Sequence, residues 1–264
     1  MRRGLNPIKT PEQIAMARAA GALAADVLHM LVPHVKPGVT TDHLDRLCHD
    51  HIVNVQKAIP ANIGYRGYPK TVCASVNHVV CHGIPGDKVL KDGDIVNVDV
   101  AVIKDGWYGD TSRMYYVGTP GVLAKRLVET TYEAMRAGIR TVRPGATLGD
   151  VGAAIQAVAE KAGFSIVRDY CGHGIGQVYH DEPDVCHFGR RGDGRRLQEG
   201  MVFTIEPMVN VGKPGTRELA DGWTVVTRDH SLSAQWEHMV AVTHDGFEVL
   251  TPWPEGTGAY AAIA

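Results

Sequence analysis

A chain that contains itself twice has few folds open to it, and this one does. Lys36-Pro37-Gly38-Val39-Thr40 returns as Arg143-Pro144-Gly145-Ala146-Thr147, and Leu90-Lys91-Asp92-Gly93 returns as Leu197-Gln198-Glu199-Gly200, both at an offset of 107 positions. Between these anchors Leu44, Leu47, Cys48, His51 and Ile52 map onto Val151, Ala154, Ile155, Val158 and Ala159 at the same offset. Each set follows i, i+3, i+4, i+7, i+8, one face of a helix. A single P-G-x-T match is chance; three kinds of match at one offset are a duplication. The expectation is one catalytic domain over residues 1–264, made of two pseudo-symmetric halves, about 1–118 and 119–264. Each half should give a helix, a P-G-x-T turn, a second helix and then strands.

Local signals agree. Thr10-Pro11-Glu12 opens a helix with a cap, a proline in the first turn and an acid near the positive end, and Thr119-Pro120 opens its counterpart. Thr40 and Thr147 cap the second helices, and Gly163 closes the latter. From Asp94 to Ile103 the period becomes two: Val96, Val98, Val100 and Val102 face one way, Asn97, Asp99 and Ala101 the other. Later, Phe203, Ile205 and Val209 line an apolar strand face opposed by Thr204 and Glu206. Helices and strands do not strictly alternate, so the fold class is α+β, an antiparallel sheet covered by helices on one face.

Composition removes several function classes. With 44% hydrophobic and 21% charged residues the chain is neither disordered nor fibrous. A net charge of −2 gives no bulk attraction for nucleic acid, so no specific nucleic-acid partner is expected. Five cysteines without a C-x-x-C read as reduced thiols, hence a cytoplasmic protein. Arg18 and Asp26 interrupt the most apolar stretch, Ile14 to Val32, which reads as a soluble amphipathic helix rather than a membrane span. Met1 to Pro7 is basic but has no apolar run behind it, so no secretory signal is expected. The run Arg190-Arg191-Gly192-Asp193-Gly194-Arg195-Arg196 reads first as a solvated loop, and only secondarily as a contact for ribosomal RNA.

Four acids stand where a sheet disfavours them. Asp99 lies in a run of valines, and a hairpin turning through Lys104-Asp105-Gly106 sets Asp110 opposite it or two places off, on the same face. Glu206 is the repeat partner of Asp99, so a pseudo-two-fold axis brings the two together. Glu237 is a further acid within a late apolar strand. Taken singly, each is better explained as an edge charge reaching solvent; the repeat relation favours convergence. Like charges at about 4 Å repel by roughly 4 kcal/mol even at an effective dielectric near 20. Converging carboxylates must therefore hold protons or cations, and two divalent ions cancel four charges. Oxygen ligands with one imidazole suit manganese, iron, cobalt or zinc. His173 sits between glycines in Cys171-Gly172-His173-Gly174-Ile175-Gly176, with His180 and His82 in further polar loops. His51, on an apolar helix face, reads as packing.

Over nearly its whole length the chain resembles the methionine aminopeptidases of the short bacterial type. The resemblance is carried by Gly64-Tyr65-Arg66-Gly67-Tyr68-Pro69-Lys70, Val80-Cys81-His82-Gly83-Ile84-Pro85, Asn97-Val98-Asp99-Val100 and Gly109-Asp110-Thr111-Ser112. Gly172-His173-Gly174-Ile175-Gly176, Phe203-Thr204-Ile205-Glu206-Pro207-Met208 and Glu237-His238 complete it. It implies the pita-bread fold and a dinuclear site on Asp99, Asp110, His173, Glu206 and Glu237, with Asp110 and Glu237 bridging. It also implies His82 and His180 as the non-ligand histidines contacting substrate, Glu206 as a proton shuttle, and a methionine pocket of Tyr65, Tyr68, Cys73, Tyr179 and Trp223. At Asn62, on the pocket edge, the bacterial members often carry cysteine.

The implied reaction is removal of the initiator methionine from nascent chains whose second residue is small, by attack of a metal-bridging hydroxide on the first peptide bond. Implied with it are a monomer, no membrane and at most a transient contact with the ribosome. Two rivals share the fold. A proline-specific aminopeptidase or prolidase usually adds a large N-terminal domain, and a non-catalytic binding module loses ligands, whereas all five ligand types stand here.

Overall fold

The computed structural model describes residues 8–253; the expectation about Met1 to Pro7 lies outside them. Helix α1 (Pro11–Leu31) starts where the sequence says it should. The Thr10 hydroxyl accepts from the Gln13 amide at 3.3 Å and the Gln13 side chain accepts from the Thr10 amide at 3.0 Å, a capping box. α2 (Thr41–Asp50) runs into a π-type turn over His51–Val55, and Thr40 caps it. α4 (Leu148–Lys161) has Thr147 as its cap, with Gly163 left-handed just beyond its end. α3 (Val122–Ile139) departs from expectation: its N-cap is Gly121, and no side chain caps it. The Thr119 amide instead donates to Asp92 at 2.9 Å, which holds Thr119 and Pro120 in the approach to the helix.

In chain order the strands of the first half are β1 (Ile59–Pro60), β2 (Val72–Val76), β3 (Val79–Cys81), β4 (Ile95–Lys104) and β5 (Trp107–Tyr116). After α4 come β6 (Ser165–Ile166), β7 (Gly172–Gly174), β8 (Asp181–Val185), β9 (Val202–Ile205) and β10 (Met208–Asn210). The last are β11 (Thr216–Glu218), β12 (Val225–Thr227), β13 (Ser233–Gln235), β14 (His238–Val242) and β15 (Phe247–Val249). Every strand pairing among the described residues is antiparallel.

The duplication is written in backbone hydrogen bonds. Gly38 donates to Leu90 and Gly145 to Leu197; Asp42 donates to Gly86 and Gly149 to Asp193. Thr40 bridges to Val89 and Thr147 to Arg196. Each pair is displaced by the same 107 positions.

Two long strands expected from the pattern are broken. The run from Phe203 to Val209 splits into β9 and β10 around Glu206-Pro207, and the late apolar run splits into β13 and β14 around Trp236-Glu237. β9 pairs with β14 and β10 with β13, so both chains pass from one sheet to the next at the same level. Pro207 has no amide to give a ladder, which makes the break local.

Burial follows the halves. Val96, Val98, Val100 and Val102 pack under α1 and α2 with Leu28, Leu31 and Leu44. Trp236, Phe203 and Ile205 pack under α3 and α4 with Leu127, Met135 and Ile155. By length and composition α1 could cross a membrane, but its face of Ala17, Ala20, Gly21, Ala24 and Leu28 is buried within this fold. A Cβ at Gly109 on β5 would run into the backbone of Ala20, so glycine is what lets helix and strand touch.

Candidate metal centre and active site

The β4–β5 hairpin turns on Asp105-Gly106, both at positive φ, the two-residue turn whose twist matches the flanking strands. That turn sets the register. Asp99 faces Ser112 and Asp110 faces Ala101, so the two acids sit diagonally on one sheet face, two places off, within the expected alternatives. Glu206 and Glu237 occupy the two strand breaks rather than strand interiors. Glu237 is pinned to the hairpin: its amide donates to the Ser112 carbonyl at 3.1 Å, and the Thr111 hydroxyl donates to its carbonyl at 2.7 Å. His173 is on β7, where a Cβ at Gly172 would strike the Thr204 carbonyl and one at Gly174 the Glu182 carbonyl. The flanking glycines let β7 press between its neighbours.

These elements bring the ligand-type side chains together. One ligand atom each from Asp110, His173 and Glu237 lies within 4.8 Å of the others. His173 Nε2 is 3.5 Å from Asp110 Oδ2 and 3.6 Å from Glu206 Oε1. Its Nδ1 is 3.1 Å from the Gly174 carbonyl, so with Nδ1–H donating there, the Nε2 lone pair faces the acids. Asp110 and Glu237 are 3% and 2% exposed.

Such crowding shows in the protonation. Burial, then the charges of Asp110 and Glu206, push Asp99 well above the usual carboxylate range. Burial, then Asp110, Glu206 and Asp99, do the same to Glu237. Glu206 is raised to about 7 by burial, with His173 opposing and Asp110 adding. Burial disfavours a charged His173, but its hydrogen bond to Asp110 and the two nearby carboxylates outweigh that and raise it. Acids that cannot all ionise beside an imidazole lone pair fit a divalent cation site.

The same pocket, of about 130 Å³, is lined by all five ligand-type residues and by His82, His180, Tyr65, Tyr68, Cys73, Tyr179 and Trp223. Sequence reasoning named each of these. The aromatic wall is interlocked: Tyr68 meets Trp223 edge-on at 5.0 Å and Tyr65 meets Tyr179 at 4.9 Å. His82 sits at φ 57, a left-handed conformation uncommon outside glycine, with its ring 6.0 Å from Trp223. Burial pulls it down to about 4. His180 Nδ1 is 2.8 Å from the Tyr65 hydroxyl. Burial, reinforced by His173, Arg66 and His82, takes His180 to about 3. Both are neutral near pH 7.

Sequence reasoning missed the supports behind the acids. The Thr204 hydroxyl donates to Glu206 Oε1 at 2.7 Å and accepts the His173 amide at 2.9 Å. His187 Nε2 accepts the Glu206 amide at 3.1 Å, and Gln235 donates to Glu206 Oε2 at 3.3 Å. Asn97, buried on β4, donates to Ser112 and to the Gln235 carbonyl. A signal existed for one pair: Asn97 and Thr204 are repeat partners, each two residues before an acid. His187 had none.

Residues 15–244 match the sequence profile of metallopeptidase family M24. The chain belongs to metallopeptidase family M24. Among M24 relatives it is 58% identical over 249 residues to methionine aminopeptidase of Rickettsia prowazekii (strain Madrid E), covering 94% of this chain and 96% of that one. It is 58% identical over 245 residues to methionine aminopeptidase of Escherichia coli (strain K12), covering 92% and 93%. The crystal structure of methionine aminopeptidase from Rickettsia prowazekii matches with a TM-score of 0.91 at 59% identity, over 92% of this chain and 98% of that one. The fold is thus the expected pita bread. Divalent metal use follows from M24 membership together with the clustered ligand atoms.

Proposed function

We infer that this protein is a metal-dependent methionyl aminopeptidase, removing the first methionine of newly made polypeptides when the second residue is small. One observation carries the reading: a floor of five ligand-type side chains meets an aromatic sleeve in a single pocket. Identity of 58% to methionine aminopeptidases along 94% of the chain supports it. An aromatic sleeve with a thiol, Cys73, suits an unbranched thioether, which packs favourably on ring edges.

Asp99, Asp110, His173, Glu206 and Glu237 are the residues we assign to hold two divalent ions. Asp110 and Glu237 would be shared between them, Asp99 would serve one ion, and His173 and Glu206 would serve the other. Manganese, iron, cobalt and zinc all suit this donor set. When bound, such ions polarise a carbonyl and lower the pKa of water. The protein's own groups do the rest. With the Tyr65 hydroxyl donating to Nδ1, neutral His180 carries its hydrogen on Nε2 and can donate to the carbonyl oxygen as charge develops there. His82, also neutral, orients the scissile amide. Glu206, held in place by the Thr204 hydroxyl and the Gln235 amide, is suited to carry a proton from the attacking water to the leaving amine.

Metal-loaded protein should release methionine from Met-Ala-Ser and leave Met-Leu-Ser intact. Cleavage of the Ala–Pro bond in Ala-Pro or Ala-Pro-Ser without methionine release would transfer the reading to a proline-specific enzyme; no hydrolysis with metal bound would make the chain a binding module. We also propose a cytoplasmic monomer that touches the ribosome transiently. Five unpaired thiols and the exposed Arg190, Arg191, Arg195 and Arg196 support this. Size-exclusion chromatography and salt-dependent co-sedimentation with ribosomes check it.

A further inference from the structure

Asn62 lies on the pocket edge, 6% exposed. Both ends of its amide are engaged. Nδ2 donates to the Thr71 carbonyl at 3.1 Å, and Oδ1 accepts the Tyr179 hydroxyl at 2.7 Å. Thr71 is itself anchored, because its amide and that of Val72 donate to the buried carboxylate of Asp45 at 2.8 and 3.0 Å. The bond from Asn62 to Tyr179 joins residues 117 positions apart and so ties the first half of the chain to the second. Tyr179 is no passive wall. Its ring meets Tyr65 at 4.9 Å, stacks on Tyr108 at 5.1 Å, and lies 4.2 Å from His180, the next residue.

We propose that Asn62 is a positioning residue: by bridging the Tyr179 hydroxyl, through its own amide, to the anchored Thr71 carbonyl, it sets the wall of the pocket that receives the first side chain. The inference rests on the aminopeptidase reading. Its physics is that of a buried polar pair. Removing one partner leaves the other unsatisfied in a tight wall, which then shifts to reach water, whereas replacing both by apolar groups is close to neutral. His180 keeps its own tether to Tyr65, so the wall and the catalytic ring respond differently. Loss of the bridge therefore weakens side-chain acceptance more than the chemical step.

The test is steady-state kinetics of the metal-loaded, full-length enzyme on Met-Ala-Ser and on its norleucine analogue. It compares the wild type with Asn62→Cys, Tyr179→Phe and the double variant. Each single change should raise KM for the methionine peptide by about 3- to 10-fold, with kcat within about twofold, and should narrow the preference for methionine over norleucine. The double variant should recover most of the KM. Tyr179→Phe keeps the ring and its stacking, so it reports on the bridge even where Asn62→Cys folds poorly, and melting temperatures measured alongside separate a loss of folded protein from a change in KM. Single effects that multiply in the double variant, or that fall on kcat with KM unchanged, overturn the proposal. A wild-type enzyme that releases no methionine from Met-Ala-Ser fails the aminopeptidase reading itself, before any variant is compared.

Discussion

At the scale of single residues the site is a problem of protons. A carboxyl group whose folded pKa is raised keeps a proton that the unfolded chain has already lost. The stability it contributes is full below the ordinary carboxylate range and disappears as pH rises through the folded value, about 7 for Glu206 in the metal-free protein. Asp99 and Glu237 are shifted the same way. Divalent ions bind the deprotonated acids, so they must displace these protons. The rise in melting temperature on adding manganese should be larger at pH 8 than at pH 6; equal shifts in a thermal-melt series would contradict it. Asp110, almost fully buried and within reach of both His173 and Glu237, has the least replaceable position. Asp110→Ala should abolish turnover of Met-Ala-Ser at saturating metal while the protein stays folded by circular dichroism, and near-normal turnover would refute its shared role.

At the scale of elements, the site depends on strands that approach more closely than side chains usually permit. β7 is held between β8 and β9, and at Gly174 the obstacle to a Cβ is the Glu182 backbone, which cannot swing aside. Gly174→Ala should cost about 1–3 kcal/mol of stability, the usual range for forcing extra volume into a packed site, and should weaken metal binding by displacing His173. Urea denaturation and metal titration measure the two effects, and an unchanged metal affinity would show that His173 does not depend on this fit. The same elements mark what a reader of the sequence could see. Val96 to Val102 was legible because a strand with one buried face must alternate, and the hairpin acids followed from the turn at Asp105-Gly106. The breaks at Glu206 and Glu237 were not. They exist because β9 and β14 leave one sheet together while β10 and β13 enter another, a relation between segments about thirty residues apart that no local period encodes. Gly121 took the cap expected of Thr119 for a similar reason, since Asp92, in the other half, claims the Thr119 amide.

At the scale of the molecule, the proposed ligands come from both copies of the duplicated unit: Asp99 and Asp110 from the first, His173, Glu206 and Glu237 from the second. A cation held by both copies binds the folded chain and not the unfolded one, so it stabilises the whole by mass action, about 4 kcal/mol per site at a thousandfold excess over Kd. Stripping the metal with a chelator should lower the melting temperature by roughly 8–16 °C per site, taking about 2–4 °C per kcal/mol for a chain of this size. The transition should stay single, because β5 of the first half contacts β14 of the second and the Asn97 side chain of the first half donates to the Gln235 carbonyl of the second. A chelator that leaves the melting curve unchanged would place any bound metal elsewhere. A centre built from acids of both copies is tested most directly by the stoichiometry of ion binding. Calorimetric titration of the metal-free protein with manganese should give about two ions per chain, falling when Asp110 or Glu237 is replaced by alanine. Binding of none at micromolar metal, or the same count in those variants, would contradict it.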